Sequence, residues 1–287
     1  MSKVDLVFAA HDVLGEGPLW HPQEQRLYWV DIEEKRYHRL DPATNAHQII
    51  EVGELVGVLA FRSRGGLVMA SDKGFSFFDP ETRRLEPINN PESDKANTQF
   101  NDGAVDRAGR FWAGTLGDSY KNSLYRLDPD LSVHRMDTGF DVSNGMGWSP
   151  DNRVMYFTDS TPGIIYAYDF DLATGNIANR RKFVDRSGLK GVPDGLTVDA
   201  EGFVWSAIWD GHCIERYDPA GKLERKIDLP VGWPTSLAFG GENLDELYIT
   251  SALYEIPKEE RQRFPMDGGL FCIKSLAKGI KEPMFMG

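Results

Sequence analysis

A short phrase recurs along the chain at a nearly constant interval, and its first residue repeatedly carries a side-chain oxygen. The six copies begin at the following positions: Glu16, Gly57, Asn101, Asn144, Asp194 and Thr235. These start points are separated by 41, 44, 43, 50 and 41 residues. A repeat of this length is typical of the blades of a β-propeller, in which each blade is one small antiparallel sheet.

The segments within each repeat follow one order, which predicts four strands. A turn follows the start phrase, and then come an apolar strand, an aromatic-rich strand and a more polar strand. The apolar strands are predicted at Arg26–Ile32, Gly66–Ser71, Arg110–Thr115, Val154–Asp159, Phe203–Ile208 and Glu246–Ser251. With no helical pattern, the sequence predicts an all-β, six-bladed β-propeller with four antiparallel strands per blade, formed by residues 1–287 as a single domain.

The ring of blades also needs a closing element. The last repeat shows fewer strands than the others, and the strand-like segment Val4–Ala9 precedes the first start phrase. We expect this N-terminal strand to form the outer strand of the last blade, because that pairing joins the two termini and covers an exposed sheet edge.

Residues with a carboxylate or carboxamide group open four of the six phrases. Asn-Gly and Asp-Gly are also common turn dipeptides, so each copy taken alone is as well explained by a hairpin. However, other residues already occupy the hairpin turns of each repeat, and the phrases fall at the entry to the innermost strand. Equivalent ends of six innermost strands meet at the propeller axis, so Glu16, Asn101, Asn144 and Asp194 are predicted to surround one divalent cation.

The chemistry of these four side chains limits the choice of metal. They offer only carboxylate and carboxamide oxygens, which favours calcium, magnesium or manganese over a structural zinc ion. Catalytic zinc or iron(II) stays open, because few protein ligands leave positions for water and substrate.

The overall composition argues against several classes of partner. A formal net charge of −12 disfavours nucleic acid and anionic membrane surfaces, which attract clustered lysine and arginine. No run of 18 apolar residues is present, and residues 1–10 lack the pattern of a signal peptide. We therefore expect a cytoplasmic protein, a monomer or weak homo-oligomer, that binds neither nucleic acid nor membrane.

Several of these phrases resemble one known family. The segments that carry the resemblance are Leu14-Gly15-Glu16-Gly17-Pro18, Phe100-Asn101-Asp102-Gly103, Ser143-Asn144-Gly145, Pro193-Asp194-Gly195 and Phe239-Gly240-Gly241. Across nearly its whole length the chain resembles the gluconolactonase/regucalcin (senescence marker protein) family of six-bladed propellers. Members of that family hold one divalent cation on the channel axis and hydrolyse sugar lactones.

The resemblance implies a role for particular residues. Glu16, Asn144 and Asp194 correspond to direct metal ligands, with Asn101 close to both metal and substrate, and Asp194 corresponds to the general base. Family members often carry arginine and lysine where this chain has Gln99 and Ala104, so the resemblance does not imply a particular sugar preference.

The expected reaction is metal-dependent hydrolysis of a small sugar lactone to its aldonic acid. Asp194 would activate the attacking water, while four residues would hydrogen-bond substrate hydroxyls: Gln99, Asn101, Asp102 and Tyr120. Three alternatives stay open at this stage: organophosphate hydrolysis at the same site, a calcium-binding regulatory protein without catalytic activity, and an interaction scaffold.

Overall fold

The computed structural model describes residues 3–254, 256–274 and 276–287, and nearly all of the regular structure is β. Strand β1 (Asp5–Phe8) comes first and is followed by six groups of strands. The first three blades contain, in order, β2 (Gly15–His21), β3 (Arg26–Asp31), β4 (Arg36–Asp41) and β5 (Ala46–Glu51); β6 (Val56–Phe61), β7 (Leu67–Ser71), β8 (Gly74–Asp79) and β9 (Arg84–Asn89); and β10 (Gln99–Val105), β11 (Phe111–Leu116), β12 (Asn122–Leu127) and β13 (Val133–Phe140).

The remaining three blades repeat this arrangement. They contain, in order, β14 (Ser143–Trp148), β15 (Val154–Asp159), β16 (Ile164–Asp171) and β17 (Asn176–Asp185); β18 (Val192–Val198), β19 (Val204–Trp209), β20 (Cys213–Tyr217) and β21 (Leu223–Asp228); and β22 (Pro234–Gly240), β23 (Glu246–Ser251) and β24 (Leu270–Lys274), with β1 as the fourth strand. The predicted six-bladed propeller is confirmed. The N-terminal strand lies on the outside of the last blade, as expected, where it pairs with β24.

The order of blades around the ring follows the order of the sequence. Each innermost strand contacts the innermost strands of the blades before and after it, and β2 of blade 1 contacts β22 of blade 6. Blade 3 therefore lies across the axis from blade 6, and blade 5 lies across from blade 2. Six apolar clusters fill the spaces between neighbouring blades, so the core is itself a ring.

One short helix interrupts the β pattern. Helix α1 (Lys258–Arg263) lies in the long connection between β23 and β24, a segment in which the sequence predicted only a loop. No helix among the described residues is long and apolar enough to cross a membrane.

The C-terminal segment crosses the face of the ring at which the innermost strands end. Gly279 pairs with Asp199 of blade 5, the Phe285 backbone N–H donates to the Phe61 carbonyl at 2.9 Å, and Met286 donates to Gly109 at 3.1 Å. The phenyl ring of Phe285 is fully buried in the cluster between blades 2 and 3. The segment thereby connects blades that are distant in sequence.

Candidate metal centre on the propeller axis

Every innermost strand carries a β-bulge at the same point. In β2 the pairing register changes between Glu16 and Leu19, and in β18 it changes between Pro193 and Leu196. The other four innermost strands show the same irregularity at the equivalent place. A bulge bends its strand and changes the direction of a side chain, so six equivalent bulges bring the first residues of the six phrases toward the axis.

We call these six residues the inner ring: Glu16, Gly57, Asn101, Asn144, Asp194 and Thr235. Glu16, Asn144 and Asp194 are at most 6% exposed, which is unusual for residues that carry charged or amide groups. Asn101 is partly buried. The structure thus buries three potential metal ligands and leaves a fourth oxygen donor accessible.

The amide groups of the inner ring are oriented by hydrogen bonds to neighbouring backbone and side chains. The Nδ2 group of Asn101 donates to the Ser143 carbonyl at 2.9 Å, and that of Asn144 donates to the Ser160 hydroxyl at 3.2 Å. Because the NH₂ groups are held by these partners, the amide oxygens are free for another partner.

Two inner-ring oxygens have no hydrogen-bond partner. These are Oδ1 of Asn144 and Oδ1 of Asp194, both fully shielded from solvent. A buried polar atom without a partner is costly and needs an explanation, such as an ion bound in the functional state. Two such acceptors beside Glu16 therefore fit a hard cation, which takes its ligands from oxygen.

The buried carboxyl groups also repel one another. Burial, followed by the negative charges of Asp194 and Asp102, raises the pKa of Glu16 well above its usual range. Burial and the charge of Asp102 raise the pKa of Asp194 in the same way, although contact with the Asn144 amide lowers it. Within the described part of the chain, the charges that act on these two groups belong to other carboxylates rather than to lysine or arginine. A divalent cation would supply the missing positive charge.

Two glycines, Gly57 of the inner ring and Gly145 directly after Asn144, allow neighbouring innermost strands to approach closely. A Cβ atom on Gly145 would lie 2.1 Å from the Leu196 backbone nitrogen, and one on Gly57 would lie 2.2 Å from the Asn101 carbonyl oxygen. Neither glycine has a positive φ. Their role is therefore close contact between blades around a narrow axis, rather than an unusual turn conformation.

Asp102 lies on the other side of the inner ring. Its carboxylate lines an internal cavity that extends along the axis to Glu282 and Arg107 near the C-terminal segment, and Ala104 lines the same cavity. Burial raises the pKa of Asp102 to about 6. The negative charge of Asp102 raises the pKa of both Glu16 and Asp194, so it acts on the inner ring from the cavity side.

The two remaining predicted substrate contacts, Gln99 and Tyr120, differ in their distance from the inner ring. Gln99 is partly buried at the start of β10, two residues before Asn101. Tyr120 lies in the turn between β11 and β12, where its side chain is 61% exposed and its φ is positive. The structure therefore brings Gln99 next to the inner ring, whereas Tyr120 lies on an exposed loop.

A second group of buried ligand-type residues was not predicted from the sequence. Asp12, Asp31 and His38 lie close enough together to share an ion. However, Asp12 accepts a hydrogen bond from the Trp29 indole at 2.7 Å and lies 3.0 Å from His38, while Asp31 pairs with Arg36 at 3.0 Å. The group is thus part of a network of ion pairs and hydrogen bonds, in which Asp12 Oδ1 and His38 Nε2 have no hydrogen-bond partner beyond their 3.0 Å ion-pair contact. No spacing of the six histidines indicated it, because its members come from β3, β4 and the segment between β1 and β2.

Comparison with known proteins places the fold and these phrases in one family. Residues 14–253 match the family described as the SMP-30/gluconolactonase/LRE-like region. The chain belongs to this family. The resemblance noted from the sequence is thereby confirmed.

Relatives in the SMP-30/gluconolactonase/LRE-like family include named enzymes. The chain is 42% identical over 241 residues to pentonolactonase XacC of Haloferax volcanii, covering 83% of this chain and 81% of that protein. It is 38% identical over 280 residues to 6-deoxy-6-sulfogluconolactonase of Pseudomonas putida, covering 96% of each. Human regucalcin is 35% identical over 295 residues, covering 99% of each chain.

Solved structures from this family have the same architecture. A calcium-binding protein named regucalcin from Agrobacterium tumefaciens superposes with a TM-score of 0.95 at 28% identity, covering 100% of this chain and 98% of that chain. A luciferin-regenerating enzyme superposes with a TM-score of 0.93 at 30% identity, covering all of both chains.

Proposed function

We propose that this protein hydrolyses a sugar lactone to the aldonic acid, with a divalent cation bound by the inner ring. The observation that carries the proposal is the pair of buried, unpartnered oxygens on Asn144 and Asp194 beside the buried carboxyl of Glu16. Relatives named pentonolactonase and 6-deoxy-6-sulfogluconolactonase, over 83% and 96% of the chain, support the choice of substrate class.

The residues present fit such a cation. Glu16, Asn144 and Asp194 would hold it, and Asn101 lies beside them with its amide oxygen free. Bound there, a divalent cation polarises the lactone carbonyl and stabilises the negative charge that develops on its oxygen. The oxygen-only ligands and the relatives named regucalcin favour calcium. Magnesium, manganese, zinc and iron(II) are the other metals to be tested.

Asp194 is proposed to be the general base. One oxygen of this buried carboxyl would bind the cation, and the other would accept a proton from the attacking water. The same carboxyl can return that proton to the ring oxygen as the ester bond breaks, which leaves a neutral hydroxyl on the product. Proton transfer by a positioned side chain typically contributes about 10²–10⁴-fold in rate.

Neighbouring side chains are proposed to orient the substrate. Asn101 is held by its hydrogen bond to the Ser143 carbonyl, and Gln99 lies two residues before it on β10. Both carry amides that can accept or donate hydrogen bonds to sugar hydroxyls without adding charge. Contacts from Asp102 and Tyr120 to the substrate stay predictions, as do the single domain, the cytoplasmic location and the monomeric or weakly oligomeric state.

A calcium-binding protein without catalytic activity is the second candidate. Its support is the similarity to proteins named regucalcin over 99% of the chain. Both candidates require the inner ring to bind a cation, so cation binding alone does not distinguish them. Organophosphate hydrolysis at the same site would use the same cation and is tested as a side activity.

A panel assay tests the proposal. Protein stripped with chelator is reloaded with each candidate metal and assayed against pentono- and hexonolactones and an organophosphate ester, with release of acid as the readout. We expect lactone turnover that requires metal and exceeds turnover of the organophosphate. Tight calcium binding with no lactone turnover under any metal would favour the second candidate and reject lactone hydrolysis.

A further inference from the structure

A second set of six residues lies one step outside the inner ring. Each stands two residues before an inner-ring residue, and we call them the outer ring: Leu14, Leu55, Gln99, Val142, Val192 and Trp233. Gln99 and Val192 lie within their innermost strands, where side chains two residues apart point to the same side, and the other four directly precede the innermost strands of their blades. All six are partly exposed, whereas the residues between the two rings are buried. These positions therefore lie at the end of the axis from which a substrate would reach the inner ring, although Leu14 and Leu55 also pack against the apolar cluster between blades 1 and 2.

The outer ring is apolar except at one position. Five of its members are leucine, valine or tryptophan, and Gln99 on blade 3 is the one member whose side chain can both donate and accept hydrogen bonds, since the Trp233 indole N–H can only donate. Trp233 precedes the innermost strand of blade 6, which lies across the axis from blade 3. A molecule in the mouth would thus meet an amide on one side and an indole on the opposite side.

The indole of Trp233 is held in place by its surroundings. Trp209 packs against it edge to face, with ring centroids 6.3 Å apart and planes at 82°. The Trp233 carbonyl accepts a hydrogen bond from Ala252 at 3.0 Å, and Gly232 donates to the buried carboxylate of Asp267 at 2.7 Å. A large, fixed and partly exposed aromatic side chain can bind a flat apolar surface at little cost in conformational entropy.

The basic side chains near Gln99 already have acidic partners. The cleft that begins at Gln99 is also lined by Lys73 and Lys95. Lys73 lies 2.7 Å from Asp72, and Lys95 lies 2.5 Å from Glu92. This side of the mouth therefore offers amide hydrogen bonds but no uncompensated positive charge.

We propose that Trp233 is the stacking platform for the sugar ring and that Trp233 and Gln99 together select uncharged lactones. The inference rests on the proposed lactone hydrolysis and adds the class of substrate. One face of a sugar ring presents C–H groups and suits the indole, while the hydroxyl edge would face Gln99 and Asn101. A terminal sulfonate or carboxylate would lose water without gaining a counter-ion, which is unfavourable.

Variants at Trp233 test the platform. In metal-loaded protein, Trp233→Ala is expected to raise KM for an uncharged pentonolactone about tenfold while kcat stays within about twofold, because the platform binds substrate and transition state alike. Trp233→Phe should give a smaller rise. Leu189→Ala, at a residue that is 62% exposed on a loop, is the control and should match the wild type. An unchanged KM in Trp233→Ala would overturn the platform.

Binding of a non-hydrolysable pentonolactam, measured by calorimetry, decides the same point without turnover. Affinity for the lactam should fall about tenfold in Trp233→Ala and not in Leu189→Ala, which corresponds to about 1.4 kcal/mol. Equal affinity in the wild type and Trp233→Ala would reject stacking. A wild type that binds the lactam through Trp233 but hydrolyses no lactone would contradict the proposed function and leave the platform supported.

Substitution of Gln99 tests the selection by charge. Wild-type kcat/KM is expected to favour an uncharged hexonolactone over one with a terminal sulfonate by about 100-fold or more, the loss typical of an unpaired buried charge. Gln99→Arg should move this ratio toward the sulfonate by about tenfold, and Gln99→Glu should move it the other way. Equal wild-type kcat/KM for the two lactones would contradict selection by charge.

Discussion

Two buried aspartates at opposite ends of one strand differ in how their oxygens are used. Asp194 lies near the start of β18, and Asp199 follows its last residue. Asp199 accepts hydrogen bonds from the Trp205 indole at 2.9 Å, from Arg216 at 2.6 Å and from the Phe203 backbone at 3.0 Å. Asp194 is 4% exposed, yet its Oδ1 atom has no partner in the protein.

The difference separates a structural carboxylate from one kept for a ligand. A buried charge is tolerated when hydrogen bonds and an ion pair compensate for lost hydration, as at Asp199. Asp194 has no ion pair and one unpartnered oxygen, which costs stability in the protein alone, and this cost is accounted for if a cation completes the site. Burial alone would have classed the two residues together, and their hydrogen bonds distinguish them.

The largest expected effect comes from the same substitution at the two aspartates. Asp194→Asn should lower kcat for lactone hydrolysis by about 10²–10⁴-fold at saturating metal, because the amide cannot accept the proton. The kcat of Asp199→Asn per folded molecule should stay within about threefold of the wild-type value, because Asp199 lies outside the site. Steady-state assays with each variant's folded fraction measured by circular dichroism check both. Wild-type kcat in Asp194→Asn would remove the base assignment.

For the free energy of unfolding, we expect Asp199→Asn to have a larger effect than Asp194→Asn, the reverse of their effects on kcat. Asp199→Asn is expected to lower the free energy of unfolding by about 3 kcal/mol, because the buried guanidinium of Arg216 loses its fully buried carboxylate partner and keeps only the more exposed Glu201 and Glu224. In metal-free protein, Asp194→Asn should change the same quantity by less than about 1 kcal/mol or increase it, because it removes a repelling carboxylate. Urea unfolding of both metal-free variants provides the measurement. A larger loss for Asp194→Asn would mean that its carboxylate is structural.

After metal removal, the free energy of unfolding should decrease as pH rises, because several buried carboxyl groups have raised pKa values. Burial and mutual repulsion raise the pKa of Glu16 and Asp194, and burial raises that of Asp102 to about 6. The folded metal-free protein therefore binds protons more tightly than the unfolded chain, so these groups destabilise it as pH rises from about 4 through 6 and above. Calcium at 100 times its dissociation constant should raise the free energy of unfolding by about 2.7 kcal/mol.

Thermal unfolding at pH 5 and pH 7.5, with and without calcium, tests this direction. The increase in Tm on adding calcium should be larger at pH 7.5, where the ligands lose their protons more readily. Asp194→Asn should reduce the increase at both pH values. An increase in Tm that is equal at the two pH values would show that the buried acids do not govern the metal-free protein.

The repeat predicted much of the fold and the inner ring because both depend on position within a period. Glu16, Asn101, Asn144 and Asp194 could be grouped from spacing alone, since equivalent blade positions meet at the axis. The position of Asp102 could not be obtained this way, because the bulge after Phe100 changes which side chains face the cavity. Helix α1 was also missed, since six residues in a long connection give too short a periodic signal.

The role of the glycines also could not be predicted from the sequence. Two of them allow a test of whether close contact between blades positions the ligand residues. From the sequence, the glycine after each ligand resembles part of a turn, whereas in the structure Gly145 permits contact with the backbone of the next blade. A Cβ atom on Gly147, two residues along the same strand, would lie 3.1 Å from the Val198 side chain and 3.2 Å from the Leu196 side chain, with the Val198 backbone nitrogen 4.0 Å away.

Gly145→Ala and Gly147→Ala therefore form a matched pair. Gly145→Ala should cost about 1–3 kcal/mol of unfolding free energy, because rigid backbone must move to admit the methyl group. It should also weaken calcium binding, because the same movement displaces the neighbouring ligand Asn144. Gly147→Ala should cost less than about 1 kcal/mol, since flexible side chains can adjust. Urea midpoints and calcium titrations of both variants measure this, and equal losses would show that close contact between blades does not position the ligands.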